Sequence, residues 1–240
     1  MNQIIAIVQE YGQAYLWSDG YRLSGLAMTL WLLLLSIAIG FVLSVPLAVA
    51  RVAPNRFISG PVWLYTYVFR GTPLYIQLLI IYSGIYSLES VRAQPLLDAF
   101  FREGFNCTLL AFALNTCAYT TEVFAGMIRE TPHGEIEAAR AFGMSRFTLY
   151  RRIILPSALR RALPSYSNEV ILMLHSTSIA FTATVPDLLK VARDVNSATY
   201  ASFEAFGLAA VLYACVVFAL VWLFRRCERR WLAFLQPRAH

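Results

Sequence analysis

Five long apolar runs separated by polar segments divide this chain: residues 23–50, 61–88, 107–128, 164–185 and 206–224. Each approaches or exceeds the ~20 residues that a helix needs to cross ~30 Å of hydrocarbon. Backbone in hydrocarbon has to satisfy its own hydrogen bonds, so the runs predict an all-α, polytopic membrane protein with five transmembrane helices. Gly40 and Pro46 in the first run are tolerated better in membrane helices than in soluble ones. Arg70-Gly71-Thr72-Pro73 interrupts the second run. Either that run is one long bent helix, or residues 57–69 lie in the interface and the span starts at Pro73.

Polar positions inside the runs are few and periodic. Asn115, Tyr119, Glu122 and Gly126 follow i, i+4, i+7, i+11 and share one helical face. In the fourth run Asn168, His175 and Thr182 recur every seven residues, with Ser178 alongside, and Glu169 and Ser176 form the adjacent stripe. An ionisable group in hydrocarbon costs at least ~2.5–3.5 kcal/mol, so it faces a protein interior or a water-filled cavity. The two stripes are expected to face each other, or a partner, across a pathway. Glu122 and Glu169 suit a cationic cargo; the alternative is that each pairs with an arginine such as Arg70 or caps a broken helix. For His175 a structural hydrogen bond and a pathway role both stand. Gly-Thr-Pro breaks a helix, which is either a transporter device near a substrate site or a kink at the interface, with Arg70 reaching to lipid phosphates. The second is the favoured expectation.

Between the third and fourth runs lies a charged, soluble-looking stretch. Residues 135–141 are good helix formers, and Gly143 suits a helix C-terminal stop. Ser145 can cap a following helix over 146–154, which Pro156 is expected to end because it has no backbone N–H. Two short helices at an angle result, with Ala138, Ala139 and Ala141 exposed so that a partner can approach closely.

Composition agrees with a membrane protein: 58% of residues are hydrophobic and 14% charged, against roughly 25% charged in soluble domains. The net charge of +6 does not signal nucleic acid, because the arginines flank apolar runs. Arg51, Arg56, seven arginines between runs three and four, and five in the tail lie on one side. Arg22, Arg92, Arg102, Lys190 and Arg193 lie on the other. The positive-inside rule then puts the amino terminus outside and the carboxyl terminus in the cytoplasm. This divides the chain into a periplasmic segment 1–22, a transmembrane domain 23–224 and a cytoplasmic tail 225–240. No basic, cleavable leader is visible at the start. Cys107, Cys117, Cys215 and Cys227 show no metal-ligand spacing and read as reduced, small hydrophobes. There is no phosphate loop, paired catalytic constellation or zinc helix, so neither catalysis nor a bound cofactor or metal is expected of this chain.

Glu137-Ala138-Ala139, Gly143, and Ile153-x-Leu155-Pro156, spaced as they are here, resemble the coupling motif of ABC-importer membrane subunits. The run from Arg70 to Leu78 resembles the Arg-Gly-Thr-Pro-Leu signature of polar-amino-acid permeases, as do Asn115 to Phe124 and Asn168 to Ser178 in their own spans. The stretch Ala183 to Lys190 is similar to permeases of basic-amino-acid importers. The resemblance covers roughly residues 20–230. It implies a type I importer permease fold in the bacterial inner membrane, with segment 129–160 as the cytoplasmic piece that docks on an ATPase. It implies a homologous Q-type permease subunit, two ATPase subunits carrying ATP-Mg, a periplasmic amino-acid-binding protein, and histidine, arginine, lysine or ornithine as cargo. Glutamine on the same scaffold is the main alternative. A secondary transporter is a more distant one, since no internal repeat is visible. Where many relatives carry Lys this chain has His175, which weakens attraction for a substrate carboxylate.

Overall fold

The computed structural model describes residues 2–232. Among them the elements are α1 (Asn2–Leu16), α2 (Gly25–Arg51), α3 (Arg56–Gly71), α4 (Leu74–Leu79), α5 (Glu89–Arg92), α6 (Pro95–Arg102), α7 (Gly104–Arg129), α8 (His133–Ala141), α9 (Arg146–Leu149), α10 (Leu155–Ser176), α11 (Leu188–Thr199) and α12 (Ser202–Trp231). A wide helical turn, Ile80–Ile85, continues α4; another, Tyr150–Ile154, joins α9 to α10; a 3-10 turn, Thr177–Ala183, extends α10. No strand forms among the described residues.

All five apolar runs fall on helices, but unequally. By length and apolarity α2 and α12 each suffice to cross a membrane, and α3 with the α4 stretch qualifies as a pair bent by 103°. At that bend α3 turns away, and a new helical segment begins after Pro73. α7 is less apolar because it occupies the centre of the bundle, against α2, α3, α4 and α10. Its polar side chains Thr108, Asn115, Thr116, Thr120 and Thr121 face protein and not lipid. α2 runs parallel to α7 at close range. A Cβ at Gly40 would lie 2.4 Å from Thr116 Cγ2, so a larger residue there would force the Thr116 side chain to move. α12 is peripheral, with 6% of its apolar window buried in the chain.

The segment before residue 23, for which the sequence suggested no element, contains α1, packed on α11 and α12. Tyr15 Oη donates to Ala205 O at 3.0 Å and Ser24 Oγ to Ala14 O at 2.8 Å. Asp187 caps α11, accepting from the backbone N–H groups of Leu189 and Lys190. Its complete burial outweighs those donors and pushes its carboxyl up to about 7. All four cysteines are free. In the tail, residues 233–240, with Arg238, lie outside the described residues.

Candidate functional site

The chain breaks at Thr72-Pro73 for a local reason. Proline has no N–H to donate and crowds the residue before it out of helical geometry, so Thr72 is extended (φ −115°, ψ 142°). The break leaves carbonyls without helical partners. Gln77 Nε2 donates to Phe69 O (2.7 Å), Thr72 O (3.0 Å) and Thr72 Oγ1 (2.8 Å). Asn115 Nδ2, from α7, donates to Gln77 Oε1 at 3.1 Å and Phe69 O at 3.3 Å. Tyr119 Oη donates to Arg70 O at 3.3 Å, and the Arg70 guanidinium stands 5.3 Å from the centre of the Tyr119 ring. Non-helical backbone at membrane depth needs such protein partners.

Beside the break lies an open cavity of about 400 Å³. Its walls are Arg70 to Leu74 from the break, Asn115, Thr116 and Tyr119 from α7, and Glu169, Leu172, Met173 and Ser176 from α10. Neither Arg70 nor Glu169 forms an ion pair among the described residues. One wall therefore offers a cationic fork and another a carboxylate, and an aromatic ring and a buried amide line the same cavity.

This arrangement sorts the expected residues, and for Glu122 it selects pairing with an arginine. Asn115, Tyr119 and Glu169 reach the cavity; Glu122 does not. Glu122 Oε1 accepts from Arg51 Nε at 2.6 Å and from Thr66 Oγ1 at 2.7 Å, which joins α7 to α2 and α3. Asn168 and His175 are exposed on the outside of the chain, away from this cavity and open to a partner, and Ser178 donates to His175 O. The neighbouring Glu169–Ser176 stripe lines the cavity instead. Arg70 is exposed and stands on the cavity wall. Gln77 and Thr116 were missed; the helix-breaking Gly-Thr-Pro was the one signal that pointed to them.

At the other end of α7 the charged stretch forms α8 and α9. Gly143 has φ +72°, donates its N–H to Arg140 O, and is followed by Met144 N–H to Ala139 O, the two reciprocal bonds of a glycine helix stop. Ser145 Oγ accepts from Thr148 N and caps α9. Glu137, Ala138 and Ala141 are exposed, as is Phe142. Ala139 is not: it is buried with Leu149 and Ile154 against Ala48, Phe124, Ala125 and Ile128. Ile153 and Leu155 are partly buried on the same cluster. Pro156 ends nothing. It sits in the first turn of α10, and the wide turn before it carries the chain through without the N–H that proline lacks. Arg161 closes the base of the segment, donating to Ser157 Oγ, Met127 O and Thr131 Oγ1.

Residues 36–232 match the family of binding-protein-dependent transport system inner membrane components. The chain belongs to that family. It is 67% identical over 235 residues to the histidine/lysine/arginine/ornithine transport system permease protein HisM of Salmonella typhimurium, covering 98% of this chain and all of that one. It is 64% identical to HisM of Escherichia coli K12 (98% of each chain) and 43% identical to the nopaline transport system permease protein NocM of Agrobacterium fabrum (82% of each). Among solved structures, an amino acid ABC transporter crystallised with histidines superposes with a TM-score of 0.80 at 30% identity, over 95% of this chain and 98% of that one. The inward-facing MetNI methionine transporter superposes at 0.71 and 18% identity over 85% and 93%, a likeness of fold alone. The chain is thus an inner-membrane permease subunit of an ABC importer, a transport component and not an enzyme. Membership carries with it a partner permease and an ATPase.

Proposed function

We propose that this chain forms part of the pathway by which an ATP-driven importer moves basic amino acids, namely histidine, arginine, lysine and ornithine, across the bacterial inner membrane. The observation that carries the reading is the cavity holding Arg70 and Glu169, both without an ion-pair partner among the described residues. A basic amino acid presents a carboxylate at one end and a cation at the other. Arg70 suits the carboxylate by its planar fork of donors, and Glu169 suits the cation. A volume of about 400 Å³ falls in the range of small-molecule sites. Permeases for basic amino acids among the relatives support the same cargo. In this reading a homologous Q-type subunit completes the pathway, two ATPase subunits hold ATP-Mg and dock on the segment around Glu137, Ala138 and Gly143, and a periplasmic binding protein delivers the cargo. The amino terminus is periplasmic and the carboxyl terminus cytoplasmic.

The test is Glu169→Gln in the reconstituted transporter, with uptake normalised to assembled complex. A charge pair is worth about 1 kcal/mol in water and about 4 kcal/mol at an effective dielectric near 20. Uptake of arginine and lysine is therefore expected to fall about tenfold or more relative to that of histidine above pH ~7.5, where imidazole is neutral. Arg70→Gln is expected to reduce every cargo alike, since all carry the same carboxylate. Equal losses of arginine and neutral histidine in Glu169→Gln would give Glu169 to the α-ammonium that every cargo shares, or to structure, and remove the basis for a basic cargo.

A further inference from the structure

The most exposed long helix changes character along one face. On α12, Phe218, Val221 and Trp222 share a stripe with Arg225, Arg226, Arg229 and Arg230, each pair one helical turn beyond the last, and together they line an open hollow. Phe218 is 74% exposed and Trp222 64%, and all four arginines are exposed. The Arg226 guanidinium is 6.0 Å from the Trp222 ring centre. Among the described residues none of the four arginines forms an ion pair, although Glu228 lies within the same two turns.

Two features of this stripe suit an external anion. Arg225 with Arg229, and Arg226 with Arg230, are like charges at i, i+4, which destabilise a helix unless a counter-charge intervenes. The helix nevertheless continues through them to Trp231. The positive-inside rule explains the end of the helix at which the arginines stand, but it counts charges and is indifferent to the face they occupy. Thirty residues extend about 45 Å, longer than the ~30 Å of hydrocarbon, so the last turns reach the headgroup layer.

We propose that this stripe is a binding site for an anionic phospholipid, with its acyl chain along Phe218, Val221 and Trp222 and its phosphate held between the guanidinium forks. Guanidinium matches phosphate oxygens two at a time. The apolar part of the stripe passes without interruption into the basic part, which matches an amphiphile better than the acidic surface of a soluble partner. The site is independent of the cargo cavity and of the reading attached to it.

Native mass spectrometry of the assembled transporter, exchanged into phosphatidylcholine with added phosphatidylglycerol, tests this. The wild-type complex is expected to retain phosphatidylglycerol in preference, and added salt to weaken the preference. At about 1 kcal/mol per arginine near a charged surface, Arg226→Gln with Arg230→Gln is expected to lower the preference by about tenfold or more. Replacing all four arginines by lysine keeps the charge that orients the helix, removes the forks, and is expected to give an intermediate loss. If the glutamine variant retains phosphatidylglycerol as the wild type does, the site is not there. Displacement of the lipid by inorganic phosphate at equal concentration would also overturn it, since a bare anion would then suffice. So would loss of the ATPase subunits with lipid retention unchanged, which would give the arginines to the protein partner.

Discussion

Glu122 ties three helices at one point, and its surroundings show how a buried charge is read from sequence only in part. Its place on a polar face of α7 was legible from the spacing of Asn115 and Tyr119. Its partner was not, because Arg51 stands 71 residues away and no local pattern links two helices. With side chains 19% and 16% exposed, the pair is largely withdrawn from solvent. Removing one member of such a pair strands the other, at a cost of about 2–3 kcal/mol. Glu122→Gln is therefore expected to lower the thermal midpoint of the assembled complex and to reduce uptake of arginine and neutral histidine equally. The charge swap Arg51→Glu with Glu122→Arg is expected to recover much of that stability. A selective loss of arginine uptake at unchanged stability would instead return Glu122 to the cargo pathway. Arg70 teaches the converse lesson. Its basic side chain beside a helix breaker favoured an interface kink from sequence alone, and only the structure brings Tyr119 and the Glu169 stripe on α10 to the same cavity.

Among the elements, the α8–α9 corner was the most legible, because turn chemistry is local. Gly143 at φ +72° needs no tertiary contact to explain it, and a Cβ there meets nothing within 4 Å. Any loss from substitution therefore comes from the backbone, at about 1–2 kcal/mol for a left-handed L-residue and least for asparagine. In ATPase assays of the assembled complex, Gly143→Asn is expected to keep most of the stimulation by loaded binding protein. Gly143→Asp is expected to lose much of it and Gly143→Val nearly all, with the chain still inserted. Full stimulation in the valine variant would show that the angle between α8 and α9 is not what the ATPase reads. Pro156 was misjudged on the same local grounds. Proline stops a helix from within but starts one at its first turn, and which of these applies depends on where the preceding wide turn resets the register. Ala139 was expected on the surface with Ala138, but the helix face that packs on Ala48 and Ile128 includes it.

Across the bundle, α2 and α7 run in the same direction, which puts the α8 corner at one end and α6 and α11 at the other. With the arginine bias, this orientation yields an expected labelling pattern. Cysteines placed near Gln94 or Asn196 should react with an impermeant reagent in intact cells, and one near Gly134 should be protected. The reverse pattern would put the α8–α9 corner outside the cell and overturn the proposed importer orientation. The run lengths, the arginine distribution and the corner glycine were readable without a structure. Hydropathy, flanking charge and helix-stop geometry are properties of contiguous residues, and burial in lipid or a turn in the backbone acts on them directly. Which polar face looks into the cavity was not readable. Glu169 and Ser176 lie one residue from Asn168 and His175, about 100° around the same helix, and both stripes have the same period. Only the packing of α10 against α7 and the broken α3–α4 pair turns one of them inward, because helix rotation is set by side-chain fit between elements distant in sequence.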